Sequence, residues 1–129
     1  MSATALSTTL ACTLQTAGED WDAIRTPKSL GLAAMAILGS RCGAVVEDSS
    51  GAVVYFFTPC GTASRWSVDH AQAVEEGDTV PVPPARRTQG PGPHWRMCPG
   101  EGRMLTDPDA LKAALEDAFG PRVGDEQAD

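Results

Sequence analysis

Val53-Val54-Tyr55-Phe56-Phe57 is the segment that most restricts what this chain can fold into. It holds the single tyrosine and two of the three phenylalanines of a 129-residue protein that is only 5% aromatic. Successive strand side chains point to opposite faces, so an apolar run without alternation needs cover on both sides. The residues are also strand formers by type. Val45 and Val46 precede them within Gly43–Glu47, and Asp48-Ser49-Ser50-Gly51 supplies turn chemistry. The expectation is a hairpin of residues 43–47 and 52–58, with its second strand inside a layered fold.

Two helices flank this hairpin in sequence. Thr26-Pro27 predicts a helix start, with Thr26 as cap and Pro27 in the first turn. The helix then runs over 27–38, with Leu30, Ala33, Ala34, Ile37 and Leu38 on one face and Gly39 as the stop. Leu32 and Met35 lie elsewhere around it, which predicts cover on most sides. Thr106-Asp107-Pro108-Asp109 is a capped start for a second helix, with acidic side chains at its positive end. Its stripe is Leu111, Ala114, Leu115, Ala118 and Phe119, and Gly120-Pro121 marks its end. Further short strands are expected at about 71–75, 79–82 and 94–97, with a turn and then a short extended piece over 19–25, extended backbone over 65–68, and a strand or helix near 9–14. Pro81 and Pro83 lack backbone donors, which puts the 79–82 strand at an edge. These elements amount to an α+β fold: a single compact domain with a largely antiparallel sheet of about five short strands and two helices. The domain is expected over 19–120, behind a partly ordered N-terminal segment (1–18) and ahead of a disordered acidic tail (121–129).

Charge narrows the partners. Ten Lys and Arg against 17 Asp and Glu leave a net charge of −7. Bare DNA is an unfavourable ligand for such a surface, because binding to phosphates draws on basic side chains. No run of about 20 apolar residues is present to span a membrane. The start, Met1-Ser2-Ala3-Thr4-Ala5, has no basic segment or apolar run of a secretory signal, so the expected location is the cytoplasm, with reduced cysteines. Cys12, Cys42, Cys60 and Cys98 are dispersed, without the close pairs of a structural zinc site. They read as buried free thiols. Neither histidine, His70 or His94, is placed by spacing beside Cys60 as a catalytic base. Phosphate-binding glycine loops and a nucleophile elbow are missing from the sequence.

Two places remain as candidate sites. The first is the loop from Pro83-Pro84 to His94-Trp95-Arg96, where Arg86, Arg87, His94 and Arg96 can grip a phosphate or carboxylate. The plainer reading is a charged connection with Trp95 in the core, and alternation then turns His94 and Arg96 to the face opposite Trp95. The second is Asp20-x-Asp22, whose carboxylates share one strand face and can hold a divalent cation. Its plainer reading is a turn in which Asp22 caps locally.

Ser50-Gly51-Ala52-Val53-Val54-Tyr55-Phe56-Phe57-Thr58-Pro59, then Thr79-Val80-Pro81-Val82-Pro83-Pro84 with His94-Trp95-Arg96 beyond a loop, resembles the bifunctional DNA primase/polymerase (prim-pol) domains of actinobacteria and their phages. Asp20-Trp21-Asp22 falls where that family carries its metal-binding Asp-x-Asp, and Leu105-Thr106-Asp107-Pro108 is similar to its closing helix. The resemblance spans residues 20–119. It implies nucleotidyl transfer with Mg or Mn held by Asp20 and Asp22. The family's nucleotide-binding histidine, however, corresponds to Val53, and a third acidic position has no clear counterpart beyond Asp78. The expectation is therefore a reduced, non-catalytic relative without a cofactor: a binding or regulatory module that contacts a protein partner or a small anionic, nucleotide-like ligand. The competing expectation is a small metal-dependent enzyme using Asp20 and Asp22.

Overall fold

A computed structural model describes residues 13–18, 21–48, 52–68, 70–84, 87–89, 92–97 and 104–128. Among these are seven strands: β1 (Thr13–Thr16), β2 (Asp22–Pro27), β3 (Val45–Asp48), β4 (Val53–Thr58), β5 (Gln72–Ala73), β6 (Thr79–Val82) and β7 (His94–Met97). The helices are α1 (Lys28–Leu38), the single turn α2 (Thr62–Arg65) and α3 (Pro108–Ala128). Five strands form an antiparallel sheet in the order β5-β2-β4-β3-β7, and β1 and β6 form a separate antiparallel ribbon. The expected α+β architecture, a single compact domain with a five-stranded sheet, is what the chain adopts.

β4 lies at the centre, as its uninterrupted apolar run requires. Val54 and Phe56 join Ile24, Val45, Leu30, Leu38, Leu111 and Leu115 in a core between the sheet and the helices α1 and α3. Tyr55 and Phe57 face the other way, into a second core with Trp21, Val46, Val80 and Trp95 under the β1–β6 ribbon. Trp21 and Phe57 pack with ring centroids 4.8 Å apart, and Phe57 meets Trp95 edge to face at 6.0 Å. Trp21, Tyr55, Phe57 and Trp95 thus share the ribbon side, while aliphatic residues fill most of the helix side around Phe56.

Several local expectations give way to tertiary contacts. Thr26 does not cap α1. It is fully buried in β2, paired with Val54, and the helix begins after Pro27 without a side-chain cap. The pairing of Thr26 and its neighbours with β4 outweighs its capping preference, worth only about 1 kcal/mol. α1 buries Leu30, Gly31, Ala34 and Leu38, while Ile37 is exposed, so the helix is covered on one side and not on most. Gly39 does end it, at φ 57°, donating its N–H to the Met35 carbonyl. Asp107 caps α3 through the Ala110 N–H at 2.9 Å, as expected. The helix does not stop at Gly120-Pro121: its backbone continues to Ala128. Arg65 closes the turn α2, and the extended backbone expected over 65–68 begins only at Trp66. β6 pairs with β1, not with the neighbouring β5, which makes part of the N-terminal segment integral to the fold. The residues of the 49–51 turn and the 98–102 turn lie outside the described residues, as do Cys12 and Cys98.

Gly31 sets the distance between α1 and the sheet. A β-carbon there would lie 2.2 Å from Val54 Cγ2. Gly31→Ala is expected to destabilise the fold by about 1–2 kcal/mol, because a valine methyl must move in a filled core. Urea unfolding of the two proteins checks this through the shift in midpoint.

Candidate functional site: a buried acid among basic side chains

β3 and β7 run side by side, with Glu47 opposite His94 and Val46 opposite Trp95. The pairing slips by one residue between Val45 and Val46, and Arg96 lies at this irregularity. Trp95 faces the ribbon core, so His94 and Arg96 turn to the helix face, as alternation predicts. Glu47 shares that face and is 2% exposed.

The Glu47 carboxylate is ringed by bases. Lys28, in the first turn of α1, places Nζ 2.9 Å from Oε2. His94 Nε2 lies 3.4 Å and Arg96 Nη1 3.5 Å from Oε1. Among the described residues, Oε1 accepts no hydrogen bond despite these neighbours. His94 is oriented by its other nitrogen: Nδ1 lies 2.9 Å from the Gly92 carbonyl, which can only accept, so Nδ1–H donates. Burial pushes the Glu47 carboxyl up, but the Lys28 hydrogen bond and the charges of Lys28, His94 and Arg96 more than offset this and hold it below its ordinary value. The side chains of Lys28 and Arg96 remain 44% and 41% exposed. Two permanent cations therefore stand over one buried anion, open to solvent, in a chain of net charge −7.

The structure sorts the residues singled out in the sequence. His94 and Arg96 converge. Arg87 is brought beside β7, where its carbonyl accepts the Trp95 N–H at 2.8 Å. Arg86 lies outside the described residues. The loop itself is tied down by Trp95, whose indole N–H faces the carbonyls of Pro83 at 3.2 Å and Pro84 at 2.9 Å. Lys28 and Glu47 were not among the sequence candidates. Both belong to ordinary-looking elements, and their meeting depends on α1 folding back over β3. The only sequence signal was an acid, Glu47, within an apolar strand.

Asp20 lies outside the described residues, and Asp22 does different work from the metal ligand it can be. It is buried, and its Oδ2 accepts the N–H groups of Gly61 and Ala63, both at 2.9 Å. The carboxylate thus ties the loop after β4 to the start of β2. This is a capping role, but across the sheet and not local. Asp22→Ala is expected to cost about 1–2 kcal/mol, as for loss of a helix cap, with thermal unfolding as the readout. Asp22 is also remote from the basic cluster. Glu47 is level with Thr26 through Val54, and Asp22 is four residues further along β2, roughly 13 Å at strand spacing. Among the described residues, no group of three or more His, Cys, Asp or Glu side chains is arranged to hold a metal ion.

The thiols divide. Cys42 is buried and its thiol is pushed up to about 11 by burial, with a hydrogen bond to Thr106 acting the other way. Cys60 is exposed, against the expectation that the thiols are buried, because it sits in the surface turn ahead of α2. No helix among the described residues is long and apolar enough to cross a membrane.

No family model, curated protein or solved structure matches this chain.

Proposed function

We propose that this chain is a non-catalytic binding or regulatory module on a prim-pol-like scaffold, and that its basic cluster takes an anionic group from a nucleotide-like ligand or a protein partner. The observation that carries this reading is the pair Lys28 and Arg96, half exposed above the buried carboxylate of Glu47. Glu47 holds both side chains in place, and their remaining donors are free to turn to a phosphate or carboxylate. Arginine offers a planar fork for such groups and lysine a mobile point charge. The rest of the surface is dominated by acid, so the cluster is a local attraction in a field that repels large polyanions.

Calorimetric titration with ADP and with inorganic phosphate tests the proposal. ADP is expected to bind, and Lys28→Ala/Arg96→Ala is expected to weaken it by about tenfold or more, with weakening also at high salt. Affinity unchanged in the double variant would remove the cluster from the site. Manganese-dependent nucleotide turnover that disappears in Asp20→Ala/Asp22→Ala would replace this reading with the metal-dependent enzyme.

A further inference from the structure

The two ring nitrogens of His94 stand in different situations. Nδ1–H donates to the Gly92 carbonyl at 2.9 Å. In a neutral ring that is the only N–H, so Nε2 carries a lone pair. The lone pair faces Glu47 Oε1, 3.4 Å away, a buried atom that accepts no hydrogen bond among the described residues. Two acceptors thus meet with no donor between them, in a place where polar atoms are nearly always bonded. A second proton on the ring removes the conflict, because imidazolium donates from both nitrogens. The contact with Oε1 then becomes a charge-assisted one.

The charged groups around this ring come from three elements. Glu47 faces it from β3 and favours the second proton. Lys28 of α1 and Arg96 of β7 meet the same carboxylate and oppose it. Glu47 is held below the ordinary carboxyl value of 4.5, whereas imidazoles as a class change charge between about pH 5 and 8. The carboxylate is therefore ionised throughout that range, and the lysine and arginine are cations throughout it. His94 is the member of the cluster whose charge varies. With a neutral ring the cluster sets two cations against one anion, and with a charged ring three.

We infer that the protonation of His94 sets the affinity of the basic cluster for anions. The inference rests on the anion-binding reading given above. The charged ring takes Glu47 Oε1, the oxygen it shares with Arg96, and so releases the Arg96 fork to a ligand. The Lys28 contact is with Oε2 and is left as it is. His94 is only 7% exposed, so it is a positioning residue that acts through Glu47. The sign follows from the charges. Affinity is greatest below the imidazole range and falls as pH rises through it, when the ring loses its charge and Oε1 returns to Arg96. By reciprocity a bound anion favours the proton on His94.

Sulfate is the probe for the test, because it keeps two negative charges across this range, whereas phosphate groups change charge within it. Its affinity for the full chain is measured by calorimetric titration from about pH 5.5 to about pH 8 at constant ionic strength. Binding is expected to be about five- to tenfold tighter at the acid end. Heats measured in buffers of different ionisation enthalpy should show proton uptake on binding. His94→Gln is expected to bind sulfate with an affinity that no longer follows pH, and His70→Gln to keep the pH dependence of the parent. Nitrogen magnetic resonance of the imidazoles follows His94 in the parent itself, so the result does not depend on the folding of a variant. Sulfate should shift the loss of the Nε2 proton to higher pH. An affinity constant across the range, binding without proton uptake, or a His94→Gln profile that still follows pH overturns the inference and leaves the anion site standing. No binding of sulfate, phosphate or ADP at any pH removes the anion site itself, and the inference with it.

Discussion

Trp95→Ala is expected to cost about 3–5 kcal/mol, the usual range for removing a large aromatic side chain from a core. Trp95 is 3% exposed and closes the ribbon-side core against Phe57. Its indole N–H also fastens the double proline, so the substitution removes packing and leaves the carbonyls of Pro83 and Pro84 without their donor. For a domain of this size the melting temperature should fall by about 10 °C or more in differential scanning calorimetry. Trp95→Phe separates the two contributions. It keeps much of the ring and loses the indole donor, so its cost should be near 1–2 kcal/mol, the net worth of a part-buried hydrogen bond with some packing loss. A change below about 1 kcal/mol in the alanine variant would contradict a core role for Trp95.

Lys28→Ala should be the next most disruptive change, at about 2–3 kcal/mol. It deletes the 2.9 Å bond to a carboxylate that has little access to water. Solvent screening at the half-exposed lysine, and the remaining charges of His94 and Arg96, keep the cost from being larger. Glu47 also makes stability depend on pH. Its folded value lies below its ordinary value of 4.5, so its contribution is complete above that value and is lost as pH falls through the lower folded value. Stability measured by urea unfolding should therefore decline from about pH 5 downward. Glu47→Gln should flatten that part of the profile, because the amide does not titrate. An unchanged slope in Glu47→Gln would assign the acid sensitivity to other carboxylates.

Much of the fold was legible in the order of residue types. The run Val53–Phe57 demanded cover on both faces, and it received helices on one and a ribbon on the other. Asp107-Pro108 marked the start of α3 by local chemistry that no tertiary contact opposes. Where local chemistry met a competing long-range contact, the contact prevailed. Thr26 has the side chain of a cap, but its backbone is held in the β2–β4 ladder. β5 and β6 are joined by a turn, but β6 lies with β1, where Val80 joins the ribbon-side core.

The candidate sites divide in the same way. From the sequence alone, the alternation of His94, Trp95 and Arg96 determined that a core tryptophan would send its two basic neighbours to the opposite face. That follows from strand geometry and needs no partner. Which acid would meet them was a tertiary decision, taken by the register of β3 against β7 and by the return of α1, which brings Lys28 to Glu47 across 19 positions of sequence. The fate of Asp22 was decided likewise, by the approach of Gly61 and Ala63. A carboxylate in a sequence states only that it can accept hydrogen bonds or a cation. The donors nearest to it once the chain has folded decide which of these it does.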